Sequence, residues 1–250
     1  MSGAASIGAS GWVLLAVAPI VGSFLGVLIR RLPEAEPVVW GRSRCEHCGI
    51  VLGVRNLVPF ASWMMTRGRC RHCGERLGWF YPAVESAALL VALIALALDT
   101  GVVAWLDAVL GWWLLALGWI DLRRWLLPDA LTLSLVLAGL VAAAIWAPWD
   151  VLDRSAGAAC GYLGLWLVAW SYRRLRGREG LGGGDAKLLA AGGAWVGAGA
   201  LPTVLFAGAT SALIAAGILM LAGHQLRRDT ALPFGPFLAL GIWLVWLLGR

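Results

Sequence analysis

The sequence predicts an all-α polytopic membrane protein, with about eight transmembrane helices and a small cytoplasmic zinc-binding insert. Three observations predict it. Hydrophobic residues make up 60% of the 250 residues and charged residues only 14%, against about 25% charged in soluble domains. The apolar residues fall into runs close to the roughly 20 residues that a bilayer requires. Four of the five cysteines stand as two CxxC pairs inside one long polar segment.

The elements follow in order. Residues 11–29 are the first uncharged run; no small-residue cleavage site follows it, so it is expected to stay as a span. Residues 30–79 form the polar insert. Phe80–Leu98 is the second run, interrupted by Glu85 near its start, and 101–120 the third, containing Asp107. Residues 130–149 and 155–172 carry no charge. The stretch 188–223 is too long for one span and has Pro202 near its middle, so it is expected to divide in two, the first part short. Residues 231–249 close the series. The predicted organisation is a first helix at 11–29, an insert at 30–79 and a seven-helix membrane domain at 80–249.

Charge fixes the expected orientation, because cytoplasmic loops are enriched in Lys and Arg. With the N-terminus outside, eighteen of the twenty basic residues fall on the inner side, nine of them in the insert. The rest of that group lies at Arg123–Arg124, in 173–187 and at Arg227–Arg228. Membrane topology thus accounts for the net charge of +6 and the pI near 9.5. No nucleic-acid partner is expected; the expected partner of the apolar surface is the lipid bilayer.

Within the insert stand Cys45-Glu-His-Cys48-Gly49 and Cys70-Arg-His-Cys73-Gly74. Paired CxxC turns suit tetrahedral zinc coordination by four thiolates, and a reducing compartment disfavours disulfides. Gly49 and Gly74 allow the backbone to fold back toward the sulfurs. A redox dithiol is the alternative. A structural metal would hold together an insert with too little apolar core to fold alone. His47 and His72 are poorer ligand candidates, and Cys160, alone in an apolar run, is expected to be a packing residue.

Most of the fourteen acidic residues sit among arginines or at the outer ends of spans. Asp121 and Asp185 differ. Asp121 follows Trp119-Ile120 at the inner end of the third span, and Asp185 follows Gly182-Gly183-Gly184 at the inner start of the sixth. Ionisable groups at membrane depth are costly and suspect as functional. Two carboxylates sharing a site hold one proton between them and can activate a water. The structural alternatives are a helix N-cap for Asp185 and pairing of Asp121 with Arg123 or Arg124. Asp129, after Pro128, reads as an N-cap for the fourth span. Glu85, where the insert returns to the membrane, is a candidate to receive a cationic partner.

These residues resemble the bacterial type IV prepilin peptidase and N-methyltransferase family. The resemblance runs through nearly the whole chain. It is carried by 22–33, where Gly26 stands in place of the more usual Asn, and by Asn56-Leu-Val-Pro59, Gly68-Arg69-Cys70 and Tyr81-Pro-Ala-Val-Glu85. It continues through 120–129, Gly182-Gly-Gly-Asp185-Ala-Lys187 and Leu232-Pro-Phe-Gly-Pro-Phe237. The resemblance implies an aspartyl endopeptidase of the inner membrane whose catalytic residues are Asp121 and Asp185, in a core at 121–223. It implies that the leaders of type IV prepilins and pseudopilins are cut after a glycine, usually before phenylalanine. S-adenosylmethionine then serves to methylate the new N-terminus, with Gly68 and Arg69 bearing on that step. A peptidase without methylation, and a non-enzymatic membrane scaffold, are the competing readings.

Overall fold

The computed structural model describes residues 8–40, 42–45, 47–51, 53, 59–177, 182–223 and 232–249. Asn56, Arg227 and Arg228 lie outside them. The described helices are α1 (Ala9–Arg31), α2 (Ala61–Met65), α3 (Phe80–Leu98), α4 (Gly101–Arg124), α5 (Asp129–Trp146), α6 (Val151–Arg176), α7 (Gly183–Val196), α8 (Leu201–Leu221) and α9 (Gly235–Leu248). The chain divides into two compact units, Met1–Ala116 and Leu117–Arg250, with the division falling inside α4.

Five helical segments are long and apolar enough to cross a membrane: Ala9–Glu34, Phe80–Leu98, Gly101–Arg124, Asp129–Trp146 and Leu201–Leu221. The expected count of eight is therefore not reached on length and composition. Helix α6 has the length, with 26 residues, but glycines and aromatic side chains dilute its hydropathy. Helices α7 and α9 have 14 residues each, about 21 Å at 1.5 Å per residue, against a hydrocarbon core of about 30 Å. The division of 188–223 falls at 197–200, just ahead of Pro202, which takes the second position of α8.

In the first unit α1 packs on α3 through a close backbone approach. A Cβ at Gly22 would lie 2.6 Å from the Cα of Glu85. Trp112 of α4 donates its indole N–H to the Ala88 carbonyl of α3 at 2.8 Å, satisfying a polar group in an apolar setting. The Arg30 guanidinium sits over the rings of Phe80 and Tyr81, at 4.7 and 4.9 Å from their centroids.

The second unit is built around α7. Ten of its 14 residues are buried, so a helix too short to face lipid along its length is wrapped by protein instead. Helices α5, α6, α8 and α9 all contact it. The approach of α6 is tightest at Gly193, where a Cβ would come within 2.2 Å of the Gly157 carbonyl oxygen. Small residues at such crossings replace the hydrophobic drive that lipid does not provide. Trp195 donates to the Leu135 carbonyl of α5 at 3.0 Å. Cys160, expected to be a packing residue, is exposed on α6.

Candidate functional site

Asp121 lies in the last turn of α4, which runs about one turn past the predicted end of the apolar run at residue 120, and is 7% exposed. Its Oδ2 accepts the backbone N–H of Gly235 at 3.0 Å. Gly235 opens α9, so the carboxylate meets the positive end of a helix. A Cβ at Gly235 would stand 2.6 Å from that oxygen, so no larger residue fits without displacing the carboxylate.

Asp185 is the third residue of α7 and is 8% exposed. The N-cap position belongs to Gly182, whose amide hydrogen-bonds back to the Asp185 carboxylate. Asp185 thus caps its helix from within the first turn, and the charge of Asp121 acts on it electrostatically. Both carboxylates line one cavity of about 590 Å³. The glycines that precede Asp185 form part of its wall, and Gly184 is crowded by Leu127, 2.8 Å from the position of a Cβ.

Asp129 is not the N-cap of α5. Pro128 occupies that position and no side chain caps the helix; Asp129 is the first helical residue. The proline locks the backbone ahead of it, and its carboxylate accepts from the Lys187 ammonium at 2.5 Å instead. Both side chains line the cavity.

Two contributions to the site are not apparent from the sequence pattern alone. One is the contact of Gly235 with Asp121, since the sequence marks this glycine only as part of the 232–237 segment that carries the family resemblance. The other is a stripe on α6 formed by Tyr162, Trp166 and Trp170, all lining the cavity. Their spacing of four places them on one helix face, a signal masked by the general abundance of tryptophan in the chain.

Glu85, expected to receive a cation, is 5% exposed and already engaged. Its Oε2 accepts the Phe60 backbone N–H at 2.9 Å, and it also hydrogen-bonds the Ser23 side chain. Phe60 has φ +54°, an unfavourable conformation for an aromatic residue, and this bond helps to hold it. The carboxylate is a strut between α1, α3 and the insert.

The cysteine knuckles repeat the same backbone geometry. Cys45 N–H donates to Ile50 and Gly49 N–H to Cys45, at 3.0 and 2.9 Å; Cys70 N–H donates to Glu75 and Gly74 N–H to Cys70, at 2.8 and 3.0 Å. Gly49 and Gly74 have φ +69° and +72°, the left-handed turn that glycine permits. The four sulfurs all lie within 4.8 Å of one another, and Cys45 Sγ is 3.9 Å from Cys73 Sγ. A tetrahedron with Zn–S of about 2.3 Å has edges of about 3.8 Å, so the cluster fits zinc. Amides of Cys73 and His72 directed at Cys70 hold its thiol down at about 6, while Cys73, against the pull of the Glu75 amide, is pushed up to about 12 by burial and the neighbouring sulfurs. Beside the knuckles, Gly68 has φ +69° and packs on Trp63, and Arg69 donates to the Gly74 carbonyl at 3.5 Å.

Residues 16–98 match the bacterial peptidase A24 N-terminal domain, and residues 108–220 match the type IV leader peptidase family. The chain is 37% identical to a prepilin leader peptidase/N-methyltransferase of Aeromonas hydrophila, covering 92% of this chain and 88% of the relative. It is 40% identical to the protein of the same name from Pectobacterium carotovorum subsp. carotovorum, covering 89% and 87%. A third, from Burkholderia pseudomallei (strain 1026b), is 40% identical over 89% of this chain and 80% of the relative. No solved structure matches. With both domain models matched in order and relatives alike over most of their length, the chain belongs to the type IV leader peptidase family.

Proposed function

We propose that this protein is a membrane-embedded aspartyl endopeptidase and N-methyltransferase, with Asp121 and Asp185 as its catalytic pair. It removes the leader of prepilins and pseudopilins and methylates the new N-terminus. The observation that carries the reading is the burial of both carboxylates against a single cavity. Two carboxylates so placed share one proton. The ionised member takes a proton from water, whose oxygen attacks the scissile carbonyl. The protonated member donates to the carbonyl oxygen, and a proton then passes to the leaving amine as the C–N bond breaks. The Gly235 amide supports negative charge on Asp121 through this cycle, and the Gly182 amide does so on Asp185. The stripe of Tyr162, Trp166 and Trp170 gives the cavity an apolar wall for a large side chain beside the cut, in keeping with the phenylalanine that the family resemblance implies.

Zinc would be held by Cys45, Cys48, Cys70 and Cys73, where it supplies a structural cross-link between the two knuckles. When bound, S-adenosylmethionine supplies an electrophilic methyl group. Gly68 and Arg69 are proposed to bear on that step by shaping the second knuckle. Gly68 packs on Trp63, which lies 4.2 Å from Trp79 between ring centroids; such aromatic faces suit a sulfonium cation. The membrane is proposed to be the bacterial inner membrane, crossed by α1 and α3–α9, with the insert, Asp121 and Asp185 facing the cytoplasm. The excess of Lys and Arg in the segments assigned to that side supports the orientation.

The test is incubation of the purified protein with a model prepilin, with and without S-adenosylmethionine, read by mass spectrometry. The expected products are the leader, the mature chain and, with the methyl donor, a mature chain heavier by one methyl group. Cleavage without methylation leaves a peptidase only. Absence of cleavage leaves a scaffold.

A further inference from the structure

Asp121 and Asp129 bracket the connection between α4 and α5, and two features stiffen it. Trp125 has φ +55° and closes the end of α4 by donating its N–H to the Asp121 carbonyl at 2.9 Å. Pro128 fixes φ immediately before Asp129. Leu127, between them, presses on Gly184 next to Asp185. Lys187, the fifth residue of α7, also lines the cavity and reaches Asp129. Residues two apart on a helix do not face each other, so Lys187 is not placed to serve Asp185 directly. Its partner is Asp129, at the far end of the segment that carries Asp121.

We propose that the Lys187–Asp129 ion pair is a clasp that sets the spacing of Asp121 and Asp185, which makes Lys187 and Asp129 positioning residues. The pair joins α7 to α5, and the stiff connection transmits that tie back to Asp121. Its side chains are 31% and 60% exposed. An exposed pair contributes little to folding, so the clasp can be broken without losing the protein. It acts on catalysis because a dyad activates water only at a narrow separation, and small misplacement is costly in rate. The proposal rests on the reading of Asp121 and Asp185 as the peptidase pair.

The experiment measures cleavage of a model prepilin by the full-length protein in detergent or nanodiscs. The variants are Asp129→Asn, Lys187→Met, their double variant and the charge exchange Asp129→Lys with Lys187→Asp. Asp121→Asn and Asp185→Asn run alongside. Each single clasp variant is expected to lose kcat by about two- to fivefold, the most that an exposed ion pair can shift the population of the competent spacing, with KM nearly unchanged. The double variant is expected to be no worse than the poorer single, because a broken clasp cannot be broken twice. The charge exchange is expected to recover activity over Asp129→Lys alone. Multiplicative losses, losses in KM, or wild-type kcat in the single variants overturn the clasp. If the single variants do not insert, Asp129→Glu and Lys187→Arg keep the charges and change the reach, and an unchanged kcat in both overturns it equally. Full cleavage by Asp121→Asn or Asp185→Asn overturns the peptidase pair and the clasp with it. Inactive aspartate variants beside fully active clasp variants remove the clasp alone.

Discussion

At the scale of single residues, the fate of each carboxylate depends on what its oxygens meet. Asp121 and Asp185 are buried at one cavity, and conversion of either to asparagine is expected to reduce cleavage to background while the protein still inserts. Gel-shift of a prepilin substrate, with membrane fractionation as the control, checks this. Gly235 gives a second test. Alanine there would put a methyl group within 2.6 Å of the Asp121 oxygen, so Gly235→Ala is expected to lose most cleavage without touching an ionisable group. Glu85 separates structural from catalytic effects. Glu85→Ala leaves the Phe60 amide without its acceptor, a cost of about 1–3 kcal/mol. Glu85→Gln keeps an acceptor oxygen and is expected to melt close to wild type. Thermal unfolding in detergent distinguishes the two, and equal destabilisation would remove the strut. The sequence marked Asp121 and Asp185 by depth in the membrane and by glycines. It misassigned Asp129 as a cap and Glu85 as an open cation receptor, because hydrogen-bond partners 58 and 25 residues away are invisible to local pattern.

At the scale of elements, the insert and α6 carry the sharpest expectations. The four-sulfur cluster predicts about one zinc per chain, measurable by metal analysis of reduced protein. Cys45→Ser is expected to expose the insert to limited proteolysis while cutting within 80–249 stays unchanged. Absence of zinc from active protein would refute the metal reading. On α6, Trp166→Ala enlarges the cavity wall, and is expected to raise KM for a substrate with phenylalanine after the cut more than for one with alanine there. The loss for the phenylalanine substrate is about 1–3 kcal/mol in kcat/KM, as for partial removal of an aromatic contact. The knuckles were legible because CxxC-Gly is a local device whose ligands and turn lie within five residues. The aromatic stripe was not, because tryptophans at helical spacing also occur wherever a helix faces lipid.

At the scale of the whole molecule, the proposed topology predicts which side each loop occupies. Reporter fusions after residues 53 and 177 are expected to read as cytoplasmic, and fusions after residues 150 and 199 as external. The fusion after 199 is the critical one, because α7 has only 14 residues. An internal reading there would mean that α7 does not cross and that the later loops reverse.

The sequence by itself determined the membrane class, most of the long helices and the two knuckles, and it marked the two candidate aspartates. Those follow from composition, from runs of apolar residues and from motifs that act over a few residues. Only the tertiary structure decided how a 14-residue helix could stand at the centre of the second unit. The glycine contacts at Gly157 and Gly193 and the Trp195 bond to Leu135 enclose it in protein. Only the tertiary structure joined Asp121 to Gly235, Asp129 to Lys187 and Glu85 to Phe60. Each of these contacts links separate helices or loops, and its energy depends on burial and helix packing, neither of which is encoded in the spacing of residues along the chain.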